Sequence, residues 1–287
     1  MRFLTFNLWH GLSPSSPVTM EALEPAGRKV LRERLQLEVI RQTGADIHFF
    51  QEVNPVASRA KALAVAADSE YVSQGDLTGV KLFGLGLPYN LNSGLVTAVQ
   101  RKWGIKPLGA VSLSRPGTHL VRSWGSWQLK EERFALFAET LLPGWGKVLL
   151  VNAHIHHGLE STDGLAKELL KLAEELELSA SAVSELKERL AKGNAKREAE
   201  VAELFRAVDE RADRFEAVVI AGDLNARPEN KISAEFAQLG FRDAWKEANP
   251  GDPGLTYDAS RNEANHLLQK NFPLTLMVED LSFSAKI

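Results

Sequence analysis

Cysteine is absent from the 287 residues. That excludes disulfides, thiolate nucleophiles and zinc sites built on Cys ligands. An excess of either charge is lacking as well: 34 Lys and Arg stand against 37 Asp and Glu, a formal net charge of −3. Such a balance gives no global positive field to draw the chain to nucleic acid or to an anionic membrane. It counts against duplex DNA as a partner, although it leaves room for a local basic groove. No apolar run reaches the roughly 18 residues of a membrane-spanning helix. The opening "MRFLTFNLWHG" enters strand-like sequence at once, without the basic segment and apolar core of a secretion signal. The expectation is a soluble protein without a membrane span, cytoplasmic by default.

What is present suits a globular domain with a sizeable core: 44% of residues are hydrophobic and 25% are charged. Arg2–Leu8 reads as a buried strand ending at Asn7, and a Pro/Ser-rich loop follows. A helix is expected from about Pro25 to Thr43, with Leu31, Leu35 and Val39 at four-residue spacing and Gly44 as its stop. "DIHFFQEV" is a second strand ending at Glu52, and Ala57–Ala67 an alanine-rich helix. Gly94–Val99, Phe134–Leu141 and Val148–Ile155 have strand composition, the last two joined by the hairpin turn "LPGWGK". A strand at Val218–Gly222, a helix near Ser233–Leu239 and a last strand at "GLTYD" complete the pattern. No repeat or linker is visible, so one α/β domain over residues 1–287 is expected.

Residues 163–214 stand apart as a charged helical insert. Between Glu160 and Arg214 there are 14 acidic and 10 basic residues, mixed in sign. Leu165, Leu169, Leu172 and Leu176, and later Leu186 and Leu190, recur at helical spacing. The pattern fits a helical hairpin with one packed face and one solvated face, with a break at Gly193–Asn194. It is not a basic clamp for nucleic acid; a gating or partner-binding arm is the sharper alternative.

Polar residues stand where apolar strands end: Asn7, Glu52, His154, Asp223 and Asn225. Each alone is an ordinary strand-end residue. Together, on strands lying side by side, they would converge on one edge. Their chemistry is coherent. Glu52 and Asn7 offer the hard oxygens that Mg²⁺ or Mn²⁺ accepts, and no soft ligands compete. Asp223 could orient or deprotonate an attacking water, while Asn225 and His154 could hydrogen-bond phosphate oxygens as charge develops on them. In "HIHHG", His154 and His156 fall on one face of a strand and His157 on the other, which argues against a three-histidine metal site. His156 is instead a candidate for the substrate mouth, as is Asn92 in the Gly-rich loop "GVKLFGLGLPYNLNSG". Of the six tryptophans, Trp145 at the hairpin tip is the one placed to touch a lipid or a base.

"TFNLWHG", "FFQEV", "VNAHIHHG" and "IAGDLNARP" resemble, in that order, the signature blocks of the endonuclease/exonuclease/phosphatase superfamily, the DNase-I-like fold. "NSGLVTAV" and "GLTYD" resemble its central and late strands, so the likeness spans Arg2 to roughly Asp258. The resemblance implies a four-layer α-β-β-α sandwich, α+β in class, of two packed mixed sheets flanked by helices. It implies Asn7 and Glu52 at a Mg²⁺ or Mn²⁺ site and His154 on the scissile phosphate. Asp223 would then position the water and Asn225 would bind phosphate. The implied reaction is hydrolysis of a phosphodiester or phosphomonoester by in-line water attack, with the substrate class left open among nucleic acids, nucleotides, inositol phosphates and lipid headgroups.

One block departs from that pattern. Such chains close on an Asp-containing strand and a Ser-Asp-His segment, whereas this one ends "LMVEDLSFSAKI". Asp280 loosely matches the first element and nothing after it supplies the second. His266, in "NEANHLLQK", stands in an ordinary loop or helix context. The expectation is therefore an enzyme impaired at that step, or a non-catalytic relative that binds a phosphorylated ligand or protein. A calcineurin-like phosphatase is set aside, since its Gly-Asn-His-Asp block is missing.

Overall fold

The run Ile47–Gln51, "IHFFQ", is buried at every position, as a strand covered on both faces should be. In the computed structural model it lies inside the first of two mixed four-stranded sheets. The structure describes residues 1–14, 20–22, 24–75, 93–114, 118–121, 126–129, 132–156, 179–226 and 231–252. The chain divides into two compact units, one of Met1–His154 with Glu203–Asp223 and one of Ile155–Ala202 with Leu224–Ile287.

The first unit holds both sheets. β1 (Phe3–Asn7) pairs in parallel with β4 (Ile47–Gln51), which pairs antiparallel with β6 (Gly94–Gln100), itself antiparallel to β5 (Ser69–Gly75). The second sheet runs β12 (Ala217–Asp223), β11 (Gly146–His154), β10 (Phe134–Leu142), β7 (Lys106–Ser112). Its β11–β12 pair is parallel and its other pairs are antiparallel. Two short hairpins, β2 (Leu12–Pro14) with β3 (Met20–Ala22) and β8 (Thr118–Val121) with β9 (Ser126–Leu129), are added to this frame.

Alternation along the strands builds the layers. Phe49, Leu95 and Val99 of the first sheet meet Leu136, Val148, Leu150 and Ala221 of the second in one buried cluster. On the other face of the first sheet, Phe50, Val96 and Ala98 pack with Ile40 of α1 (Ala26–Thr43) and with Ala60 and Leu63 of α2 (Val56–Ala66). The outer face of the second sheet buries Phe137, Leu149 and Val151. Against it lies the C-terminal part of α3 (Ala180–Ala212), whose Arg211 guanidinium stands 4.8 Å over the Phe137 ring. The expected α-β-β-α sandwich is the observed architecture. Among the described residues, no helix is long and apolar enough to cross a membrane.

Asn152 of β11 stitches the sheets together. Its Nδ2 donates to the carbonyls of Phe50 (3.2 Å) and Val96 (3.0 Å), and its Oδ1 accepts from Gln51 Nε2 at 2.9 Å. A buried amide with its partners in place fixes how one sheet sits on the other, because any slip would strand polar atoms away from water.

The Leu31, Leu35 and Val39 stripe of α1 is solvent-exposed, while Gln36 and Ile40 are buried. The helix is oriented by polar anchoring: Arg32 Nη1 and Gln36 Nε2 each donate to the Leu8 carbonyl at 2.8 Å. The break expected at Gly193–Asn194 does not occur, and α3 runs through it unbroken. One helical glycine costs only about 1 kcal/mol. Against that, Asn194 Oδ1 accepts from Arg197 Nη2 at 2.6 Å across the next turn, and Arg197, Glu200 and Val201 are buried. The leucines at 165–176 lie outside the described residues.

The second unit also carries α4 (Lys231–Gln238) and α5 (Ala244–Ala248). Lys231 Nζ pairs with Glu198 of α3 at 3.4 Å, and Asp243 caps α5 by accepting from the Trp245 and Lys246 amides.

His48 of β4, 1% exposed and stacked on Phe50, sets an acid limit on the fold. Burial pushes its pKa down to about 4, against the opposing pull of the Ala98 backbone and Asp46. Above the ordinary value of 6.5 the ring is neutral folded or unfolded. Below it the unfolded chain takes the proton first, so stability falls as pH drops from 6.5 towards 4. The full loss is about 3 kcal/mol. Urea denaturation across this range should show the slope, and His48→Leu should flatten it; an unchanged slope would remove His48 as its source.

Candidate active site

Parallel strands deliver their carboxyl ends to one edge, and the register shows which residues arrive together. Asn7 is opposite Gln51 in the β1–β4 pair, and His154 is opposite Asp223 in the β11–β12 pair. Glu52 follows Gln51. Asn7 joins the two pairs, its Nδ2 donating to Glu52 Oε1 and to Asp223 Oδ2, both at 2.9 Å. His154 Nε2 lies 4.0 Å from Glu52 Oε1 and 3.9 Å from Asp223 Oδ2. Four of the five strand-end residues, Asn7, Glu52, His154 and Asp223, therefore form one cluster in the first unit.

The backbone around the cluster is held in left-handed conformations that non-glycine residues rarely adopt, with φ 53° at Glu52 and 50° at Trp9. The surrounding bonds over-determine them. The Trp9 amide donates to Asn7 Oδ1 (2.9 Å) and the His10 amide to Glu52 Oε2 (3.0 Å). The Leu8 amide reaches the Gln51 carbonyl and that of Val53 the Gly94 carbonyl, each at 3.0 Å. Arg32, ion-paired with buried Glu24, places its guanidinium 5.1 Å from the Trp9 ring centre. These contacts aim the Glu52 carboxylate at Asn7 and His10.

Burial alone would push the Glu52 carboxyl up. The neighbouring His10 and His154 rings, the Asn7 amide and the His10 N–H outweigh it and hold the pKa at about 2. Glu52 is thus an anion throughout the neutral range, with no proton to shed before it can bind a cation. Its donor set also suits a hard ion: Asn7, Glu52 and Asp223 offer oxygen, and Mg²⁺ takes one or two carboxylates with the remaining positions filled by water or substrate oxygens. Among the described residues, no group of three or more His, Asp or Glu has the arrangement of an all-protein metal cage. The oxygen donors present fit a shared site of the Mg²⁺ kind, completed by water or substrate oxygens.

Arg133, just before β10, is 8% exposed, and its Nη1 stands 2.8 Å from Nδ1 of His154, which is 6% exposed. His10 Nε2 is 3.6 Å from Glu52 Oε2. Neither residue is marked by the sequence: Arg133 closes the charge run "KEER", which reads as a solvated face, and His10 sits in a loop.

Asn225, with φ 46°, belongs to the second unit. Its Nδ2 donates to the Ile155 carbonyl and its own carbonyl accepts from Arg197 Nη1, both at 2.8 Å. The His156 amide donates to Glu200 Oε2 at 2.7 Å, and Lys196 Nζ is 3.3 Å from His156 Nδ1. The buried charges of α3 therefore hold both segments, which the sequence pattern gave no means of seeing. Asn92, His157, His266, Asp280 and "GLTYD" lie outside the described residues. Trp145 is exposed at the hairpin tip, its ring 6.0 Å from that of Phe3.

The sequence pattern of the Endonuclease/Exonuclease/phosphatase family matches residues 4–271. Among solved structures the chain is similar to the human Nocturnin catalytic domain with bound sulfate, at 16% identity over 77% of this chain and 67% of that one, TM-score 0.47. It is similar to D. rerio TDP2 humanized by 14 mutations, at 16% identity over 86% and 71%, TM-score 0.44. The endonuclease/exonuclease/phosphatase from Beutenbergia cavernae gives 18% identity over 85% and 55%, TM-score 0.49. No curated protein matches the chain significantly.

Proposed function

Because the chain belongs to the endonuclease/exonuclease/phosphatase family, we propose that it is a phosphoesterase that depends on Mg²⁺ or Mn²⁺ and hydrolyses its substrate by direct attack of water on phosphorus. One observation carries the reading. A single amide, Asn7 Nδ2, bonds both Glu52 and Asp223, and His154 stands within 4.0 Å of both carboxylates. An anion with a pKa near 2, a second carboxylate and a buried imidazole are the parts such a reaction needs.

Glu52 and the amide oxygen of Asn7 would hold the metal. Bound there, the ion supplies Lewis-acid neutralisation of the phosphoryl oxygens. Asp223 takes the proton of the attacking water as the new P–O bond forms. The P–O bond to the leaving group breaks, and the departing oxygen leaves with the bonding pair and takes its proton from solvent water. His154 donates a hydrogen bond to a phosphate oxygen, strongest as charge builds there. Asn225 enters as a phosphate ligand on the family resemblance alone.

The test is release of p-nitrophenol from bis(p-nitrophenyl) phosphate and from p-nitrophenyl phosphate, with Mg²⁺, with Mn²⁺ and with EDTA. The expected result is turnover that needs the metal and is lost in Glu52→Gln; the ratio between the two substrates separates diesterase from monoesterase. Folded protein that releases nothing under any of these conditions would overturn the enzymatic reading and leave a phosphate-binding relative.

A further inference from the structure

Arg133 is a buried cation for which the reaction above has no direct use. We propose that it is a positioning residue, holding His154 as the neutral tautomer with its proton on Nε2, so that the histidine meets phosphate as a hydrogen-bond donor and not as an imidazolium. The part about phosphate rests on the phosphoesterase reading; the part about the tautomer does not.

A guanidinium dictates the role of any ring nitrogen it meets. Its nitrogens are donors only, and it stays protonated in proteins. A ring nitrogen 2.8 Å from Arg133 Nη1 must therefore offer a lone pair, which makes Nδ1 of His154 the acceptor. The ring's proton then belongs on Nε2, the nitrogen turned towards Glu52 and Asp223. A second proton on Nδ1 would break this bond and set two cations side by side. With Arg133 8% and His154 6% exposed, little water is at hand to relieve that. The opposite arrangement, a carboxylate accepting from Nδ1–H, is the one that favours an imidazolium acting as acid and base. An arginine at that nitrogen selects the electrophilic role.

The guanidinium is aimed by its own backbone. The Arg133 amide donates to Ser114 Oγ at 3.2 Å and its carbonyl accepts from the Leu113 amide at 2.7 Å. Ser112 Oγ in turn bonds the Ser114 carbonyl at 2.8 Å. The residue is thus pinned where β10 begins, opposite the end of β7, and its side chain runs to the end of β11.

Long-range proton–nitrogen correlation spectra of the imidazoles in ¹⁵N-labelled protein read the tautomer directly, with His154 identified by the signals missing from His154→Gln. The expected wild-type pattern is an unprotonated Nδ1 and a protonated Nε2 at neutral pH. In Arg133→Met the two tautomers should mix. Arg133→Lys, which restores a cationic donor, should return the wild-type pattern. In the diester assay Arg133→Met should lower kcat by about 10- to 100-fold, as loss of groups that orient a site's ligands does, with less change in KM. A protonated Nδ1 in the wild type would overturn the proposal, as would unchanged spectra and kcat in a folded Arg133→Met protein. If no form turns over, the phosphoesterase reading fails and the spectra still decide the tautomer. If Arg133→Met does not fold, the wild-type and Arg133→Lys spectra decide it.

Discussion

Asp223→Asn is expected to lower metal-dependent diester hydrolysis by about 10²- to 10⁴-fold, the usual contribution of a positioned general base, with no loss of fold. Asn keeps the size of Asp and keeps one acceptor oxygen, so the bond from Asn7 Nδ2 can persist. What it cannot do is take a proton from water or contribute negative charge beside Glu52 and His154. Effects on binding and on chemistry should separate: KM stays within a few-fold while kcat falls. Single-turnover measurements with the diester, beside a thermal melt, check both halves. Activity within tenfold of the wild type would remove Asp223 from the chemistry and move the search for a base to His10.

The elements nearest this residue were the most legible in the sequence, for a physical reason. Strands covered on both faces show uninterrupted apolar runs, and the site residues are the first polar groups after them; hence Asn7, Glu52, His154 and Asp223 stood out. β5, "SEYVSQG", is half-exposed and mostly polar, so no apolar run announced it. Leu31, Leu35 and Val39 marked the α1 helix but not its buried side, because helical spacing reports that a stripe exists and not which way it faces; Arg32 and Gln36, bonded to the Leu8 carbonyl, decide the orientation. Gly193–Asn194 misled because a local helix penalty is small beside the burial of the turns that follow. Arg133, His10 and Asn152 were invisible for another reason. Their roles come from contacts between chain segments far apart in sequence, and a single sequence records no such pairing.

Gly222→Ala is the change with the largest expected effect on the fold. Gly222 is paired with Ala153 one rung before His154 and Asp223. An added Cβ would stand 1.8 Å from the Ala153 carbonyl oxygen and 2.8 Å from its backbone carbon and nitrogen. The colliding atoms are backbone in the middle of a sheet, so no side chain can turn aside, and the φ of 151° is itself one that alanine resists. Relief requires β12 to draw away from β11. That motion carries Asp223 off the Asn7 amide and breaks the parallel pair that brings the Asp223 carboxylate beside His154. Overpacking of an ordinary core costs about 1–3 kcal/mol, and a backbone collision should exceed that range in a denaturant titration. Gly27→Ala, in the first turn of α1 with nothing within 4 Å of the new Cβ, is the matched control and should be neutral or slightly stabilising. A Gly222→Ala protein that melts with the wild type and keeps its turnover would mean the two strands can part without loss. The geometry that joins Asp223 to His154 would then not be what the site depends on.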